Sequence, residues 1–330
     1  MTKNKNILVT GGAGFIGSAL VHSLNESGIE DILVADFLGE DEKWRNLVPL
    51  RYSDYIEADV LLDRVIKDSH FFKDISHIYH LGACSATTEK DASYLIRNNF
   101  EFSKTLAKAA LSAGTRFIYA SSAATYGDGL LGMDDTLEDL HSLRPLNMYG
   151  YSKHMFDCWA KKNRILDSIV GLKYFNVFGP NEAHKADMRS LVAKAYEQIK
   201  LTGEIGLFKS HHPDYQDGEQ MRDFLYVKDA VAMTLHLGQE SKAGGLFNLG
   251  SGEANTWMTL ATAIFEAMGE APRIKFIDMP EQLKEKYQYH TCADISKLRA
   301  TGYDKNPQPL RDSVKDYVQN YLMQDKRLGA

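Results

Sequence analysis

The chain has 330 residues, 44% of them hydrophobic and 25% charged, with a formal net charge of −6. That length can bury a sizeable core in one large domain or two unequal ones, and the acidic balance speaks against a duplex nucleic-acid partner. No apolar run approaches the roughly 20 residues of a membrane span.

Residues 1–6 are polar, with no signal-peptide core. Cys84, Cys158 and Cys292 lie too far apart for a zinc site, so no metal is expected, and a reducing cytoplasm is the expected setting. In chain order, short β-branched or aliphatic runs follow at 6–10, 31–36, 55–57, 77–80, 116–121 and 168–174. Their shortness suits strands buried on both faces of a parallel sheet. Between the first two, Ile16, Leu20, Val21 and Leu24 recur at helical spacing, and Gly28 ends the helix. Between the fourth and fifth, Phe102, Leu106, Ala109 and Ala110 do the same, and Gly114 stops it. This alternation predicts an α/β fold built on a doubly wound parallel Rossmann sheet.

From about Pro180 the pattern changes. Residues 179–187 read as a polar loop, 190–200 as a helix, and 211–219 as a polar loop with Pro and Gly. The expected division is a dinucleotide-binding domain over 1–175 and a smaller α/β substrate domain over 176–222 and 251–330. Strand-like runs at 222–227 and 246–249 could rejoin the main sheet, so that roughly 223–250 returns to the first domain.

Gly11, Gly14 and Gly17 form a G-x-x-G-x-x-G pattern directly after the first strand and opening the first helix. Residues without a Cβ let the backbone approach a pyrophosphate, and the N–H groups at the helix start face its charge. Asp36 ends the second strand, where an acid accepts hydrogen bonds from ribose hydroxyls and favours NAD. Lys43 and Arg45 follow and could neutralise a 2′-phosphate, which favours NADP. Asp59, after the third strand, pairs with adenine or is a plain strand-end acid. Gly82, Ala83 and Ser85 after the fourth strand would let the chain pass close to the cofactor.

Two features then coincide. Ser121 and Ser122 end the fifth strand, and Tyr149 and Lys153 share one face of a helix, four residues apart. A free tyrosine has a pKa of about 10. A lysine cation one turn away, with the positive nicotinamide ring, would favour the phenolate. Ser122 would hold a substrate hydroxyl, and Tyr149 would remove its proton as hydride leaves the carbon.

With these motifs the chain resembles the extended short-chain dehydrogenase/reductase family over nearly its full length, through 10–17, 121–127, 149–153, 174–180, 222–229 and 247–252. The resemblance implies that Ser122, Tyr149 and Lys153 are catalytic and that Lys153 also holds the nicotinamide ribose. Most members act on nucleotide sugars. The acid pair that follows the catalytic threonine of the dehydratases is replaced by Ala123 and Ala124, which disfavours dehydration. The stretches 41–48, 81–89 and 175–185 resemble the group of ADP-L-glycero-D-manno-heptose 6-epimerases, bacterial enzymes that supply lipopolysaccharide core heptose. Heptose C6 has no adjacent carbonyl to acidify its hydrogen, so inversion calls for a temporary ketone.

The same resemblance implies a second acid/base at Lys185, whose alternative role is to bind diphosphate. It places Phe15, Ile16, Phe37, Leu81, Asn98 and Val177, with Lys43 and Lys185, around the cofactor. It places Asn176, Asp187, Lys194, Phe208, Arg222 and Tyr287 around an ADP-sugar, with Arg222 on its diphosphate. Phe37 replaces a polar 2′-phosphate ligand of the better-known form, whereas Lys43 matches the other; NADP is therefore favoured, with NAD open. Residues 211–219 are longer than in that form, and His211 and His212 read as solvated. A pentameric homo-oligomer is implied. The competing readings are another nucleotide-sugar epimerase or reductase, such as a UDP-hexose 4-epimerase, and a non-catalytic redox sensor, which would not need Tyr149 and Lys153.

Overall fold

The computed structural model describes residues 6–284 and 287–330. The six runs of the first half become β1 (Asn6–Thr10), β2 (Ile32–Asp36), β3 (Asp54–Glu57), β4 (Ile75–His80), β5 (Arg116–Ala120) and β6 (Val170–Tyr174). Later strands are β7 (Asn176–Phe178), β8 (Ile205–Phe208), β9 (Met221–Tyr226), β10 (Gly245–Leu249), β11 (Ala254–Thr256) and β12 (Ile274–Ile277). Seven of them form one sheet in the order β10-β6-β5-β4-β1-β2-β3, with every neighbouring pair parallel.

The principal helices are α1 (Phe15–Glu26), α2 (Ala58–Lys67), α3 (Phe102–Ala113), α4 (Met148–Lys162), α5 (Leu191–Thr202), α6 (Val227–Gln239), α7 (Trp257–Met268) and α8 (Leu310–Tyr317). Helices α2, α3 and α4 bury Leu61, Leu106 and Phe156 in one apolar cluster, while α1 and α6 bury Leu20 and Leu237 in another. The sheet is thus covered on both faces, which explains its unbroken apolar strands. The second cluster continues into Ala195 of α5, Ile264 of α7 and Val314 of α8. Gly28 and Gly114 take left-handed φ of 77° and 66°, where the sequence predicts helix ends.

The strand order reverses at β1, whose two neighbours are β2 and β4. In such sheets ligands lie outside the carboxyl ends of the strands at that reversal. Thr10 is in register with both Ala35 and His80, so the loops after β1, β2 and β4 emerge side by side there.

Of the two runs expected to be able to return to the main sheet, only 246–249 does so, within β10. The run at 222–227 is corrected: β9 pairs with β7 and β11 in a separate three-stranded sheet. The edge beside β6 is filled by the wholly buried β10. Strand β9 instead carries buried Arg222 and Asp223, and the Asp223 carboxylate accepts N–H bonds from Ser251, Gly252 and Ala293.

Candidate active site

The turn after β1 is built for close approach. Gly11 has φ of 69°, and a Cβ on it would lie 2.6 Å from Gly82 N. A Cβ on Gly17 would lie 2.0 Å from Gly11 O. Two glycine loops therefore touch at the strand reversal, at the start of α1, whose cap Gly14 offers no side-chain hydrogen bond. The N–H groups opening α1, beside glycines whose missing Cβ atoms allow close approach, fit a dinucleotide pyrophosphate. Gly17→Ala should push the turn apart and weaken NADP or NAD binding about tenfold, since the added Cβ overlaps Gly11 O and overpacking of this kind costs ~1–3 kcal/mol. A fluorescence titration with the reduced dinucleotide checks this, and unchanged affinity would contradict it.

Asp36 is buried and drawn onto this turn. One oxygen accepts from Ala13 N at 2.9 Å and Gly14 N at 3.2 Å, and the other from Phe37 N at 2.8 Å and Lys43 Nζ at 3.3 Å. Phe15, the first residue of α1, is buried, and Ile16 beside it is half-buried. Phe37 is exposed at the strand end, and Asp59 is exposed in the first turn of α2. Sequence reasoning missed Asn46, whose buried amide donates to Ala13 O at 3.0 Å and Asn181 O at 3.1 Å.

Beside the glycine turn, Leu81, Gly82 and Ala83 are half-buried and Ser85 is exposed. Asn98 is half-buried and donates to Tyr94 O at 3.1 Å within its own helix, whereas its neighbour Asn99 is fully buried.

Helix α4 brings Tyr149 and Lys153 to the end of β5. Gly150 permits this approach, because a Cβ there would lie 2.8 Å from Ala124 O. The Tyr149 hydroxyl lies near that of Ser122. Burial raises the pKa of Tyr149, and the neighbouring Ser122 hydroxyl offsets only part of that. Lys153 directs its ammonium to Ala120 O at 2.8 Å. Burial lowers its pKa to about 8, with Asp157 acting the other way. The net shift at Tyr149 is upward. A buried ion pair, Lys173 with Asp157 at 3.1 Å, lies behind the site and escaped sequence reading. Asp157 also takes Ser121 Oγ at 2.7 Å and so anchors the strand end next to Ser122.

A cavity of about 440 Å³ opens between β7, β8, α5 and α7. It gathers Asn176, Val177, Lys194, Phe208 and Tyr287, all expected to contact cofactor or substrate. Asp187 is exposed outside that lining, and its carbonyl accepts from Lys194 Nζ at 3.3 Å. Arg222 is only 7% exposed. Its guanidinium lies 5.0 Å from the Tyr287 ring centroid and 5.8 Å from that of Trp257, and Nη1 donates to Met221 O at 2.8 Å. Among the described residues no carboxylate pairs with it, and burial lowers its pKa. A buried cation in that position suits an anionic ligand. Residues 211–219 do form a loop with exposed histidines, and His212 and Tyr215 pack on Tyr289 with ring centroids 5.0 and 5.3 Å away.

Lys185 lies on the short turn Ala183–Met188. Its ammonium stands 5.3 Å from the Phe15 ring centroid, against the glycine turn, and burial lowers its pKa while Glu182 acts in the opposite sense. The next residue, Ala186, has φ 45° and ψ −121°, a strained conformation for a residue with a Cβ. The segment 179–187 is polar, as read, but its Asn181 and Glu182 are buried rather than solvated. Asn181 Nδ2 donates to Ser18 Oγ at 2.9 Å, and Glu182 accepts from Ser190 Oγ at 2.6 Å, so the strained turn is tied to α1 and to the cap of α5. His184 beside it is held neutral, its pKa lowered to about 4 by burial, and lies 3.4 Å from Asn46 Nδ2.

The model of the NAD dependent epimerase/dehydratase family matches residues 7–250. The chain is 53% identical over 315 residues to an ADP-L-glycero-D-manno-heptose-6-epimerase of Nitratidesulfovibrio vulgaris (strain DP4), covering 96% of this chain and 97% of the relative. It is 45% identical over 328 residues to the protein of the same name from Fusobacterium nucleatum, covering 97% and 98%. Among solved structures, it is similar to the Helicobacter pylori ADP-L-glycero-D-manno-heptose-6-epimerase, with a TM-score of 0.79 at 26% identity over 96% of both chains. A UDP-glucuronic acid 4-epimerase variant of Bacillus cereus, in complex with a UDP-sugar and NAD, gives 0.76 at 26% identity over 97% of this chain and 100% of that one.

Proposed function

The chain belongs to the NAD dependent epimerase/dehydratase family, and from that premise we propose that it inverts C6 of the heptose in ADP-D-glycero-D-manno-heptose to give the L-glycero form. The 53% identity to a relative of that name, across nearly all of both chains, carries the choice of substrate. A nicotinamide dinucleotide held on the glycine turn supplies a reversible hydride acceptor, which lets C6 pass through a ketone with no net redox change. Ser122 Oγ orients the C6 hydroxyl and Tyr149 Oη takes its proton. Lys153 holds the nicotinamide ribose and keeps positive charge beneath that tyrosine. Lys185 serves the other face of C6, where the oxygen of the second epimer points.

Asn176, Lys194, Phe208 and Tyr287 enclose the ADP-sugar in the cavity, with Asp187 at its rim, and Arg222 receives the diphosphate. Arg222→Leu should raise KM for the ADP-sugar on the order of 10–100-fold, the loss of charge-assisted hydrogen bonds, with a smaller change in kcat. Steady-state kinetics check this, and an unchanged KM would remove Arg222 from the diphosphate site.

NADP is the favoured form. Lys43 neutralises Asp36, which lessens the repulsion a 2′-phosphate would meet. Phe37, 46% exposed, is available to cover the adenine. The product is an activated sugar donor, which suits a cytoplasmic supply of lipopolysaccharide core heptose, and the enzyme works as a homo-oligomer. Among the described residues no helix is long and apolar enough to cross a membrane. Incubation with ADP-heptose and, separately, UDP-glucose tests the reading, and turnover of the UDP-sugar alone would overturn it. The mass of co-purified dinucleotide decides NADP against NAD.

A further inference from the structure

Two cation-bearing turns, far apart in the sequence, flank the glycine turn. The 3₁₀ turn Glu42–Asn46 carries Lys43, and the turn Ala183–Met188 carries Lys185. They meet at Asn46, whose Nδ2 donates to Ala13 O at 3.0 Å and Asn181 O at 3.1 Å and lies 3.4 Å from His184 Nδ1. Asn181 and Ala186 have positive φ, 76° and 45°. A stretch with two such residues is strained and has to be held from outside itself.

Part of that hold comes from residues 326–330, which follow α8 in the sequence. Leu328 is buried, and its N–H donates to Asn181 Oδ1 at 3.0 Å. The other end of the same amide donates to Ser18 Oγ of α1 at 2.9 Å. Gly329, with φ 86°, lies against both α1 and the stretch after Asn46: a Cβ on it would stand 3.3 Å from Pro49 Cβ and 3.4 Å from His22 Nδ1. The segment thus touches α1, the stretch that follows the Lys43 turn, and the residue that leads into the Lys185 turn. Its attachment is small, so it opens locally while the rest of the chain stays folded.

We infer that residues 326–330 form a latch that, through Asn181, holds the Lys43 and Lys185 turns closed on the glycine turn and slows escape of the dinucleotide. The inference rests on the cofactor reading given above. A hydride that returns to the carbon it left requires the same dinucleotide to stay through the turnover. A ligand held between two turns leaves when one of them swings away. Leu328 and Asn181 are therefore positioning residues, which act through the two lysines.

Leu328→Ala loosens the latch, and Asn181→Gly deletes the amide while keeping the positive φ. Displacement of bound NADPH by excess NADP, followed by fluorescence, should be about tenfold faster in either variant, the effect of a lost hydrogen bond or two. With saturating NADP added, kcat for ADP-heptose should stay within about twofold of wild type. Leu106→Ala makes the same deletion in the other apolar cluster, and it should lower Tm without speeding release. By reciprocity, bound NADPH should slow hydrogen exchange at the Leu328 amide of the wild-type protein, a readout that needs no variant to fold. Unchanged displacement in both variants, equal acceleration in Leu106→Ala, a kcat loss that saturating NADP does not restore, or Leu328 exchange indifferent to NADPH overturns the inference. Wild-type protein that binds neither NADPH nor NADH would sink the cofactor reading instead.

Discussion

Tyr149→Phe is expected to leave the protein folded and loaded with dinucleotide while turnover of ADP-heptose falls about 10³-fold, within the usual range for a lost general acid/base. The substitution removes only the hydroxyl, which lies near Ser122. A half-buried tyrosine that loses one hydrogen bond costs about 1 kcal/mol of stability, so misfolding would not explain the loss. Burial holds the Tyr149 pKa above its ordinary value, so the phenolate that would accept the C6 hydroxyl proton needs the positive charge of Lys153 and of the nicotinamide ring beside it. Phenylalanine has no oxygen to accept the C6 hydroxyl proton as hydride leaves the carbon. Lys153 adds an alkaline limit. Its pKa is lowered to about 8, so its positive charge is lost as pH rises through that value, and wild-type turnover should fall there. Chromatographic separation of the two epimers gives the rate, and absorbance of the released dinucleotide gives the loading. Near-normal turnover with full loading would exclude Tyr149 as the principal base.

What could be read beforehand was what local pattern encodes. The glycine turn, the strands of the main sheet and the four-residue spacing of Tyr149 and Lys153 each lie within a few residues of one another, and the fold keeps them so. The partner of Lys153 was not legible: Ala120 O lies 33 residues away, and nothing local points to it. Asn98 and Asn99 look interchangeable as adjacent polar residues, and only the π turn sends the second one inward. Asn181 reads as a loop residue, yet it binds Ser18 of α1 and Leu328 near the C-terminus, 147 positions on. The sheet of β9 depended on which strand takes the edge beside β6, a competition that no single segment records.

Lys185→Met is the sharper test, since it separates proton transfer from charge binding. The two C6 epimers present their oxygens in different directions, and Tyr149 is fixed on α4 on one side. Lys185 approaches from the turn on the Phe15 side, and burial eases loss of its proton although Glu182 opposes this. Methionine has nearly the same length and keeps the apolar stem against Phe15, so the strained turn at Ala186, held through Asn181 and Glu182, should survive. The expected result is a fall in kcat of about 10²-fold with KM changed by only a few-fold. If Lys185 only gripped the diphosphate, KM would rise and kcat would hold. Lys185→Arg divides the two roles further. A guanidinium keeps the charge but does not give up a proton near neutral pH, so it should restore binding in the second case and leave kcat low in the first. An arginine variant with wild-type kcat would assign Lys185 to the phosphates and leave Tyr149 to serve both faces of C6.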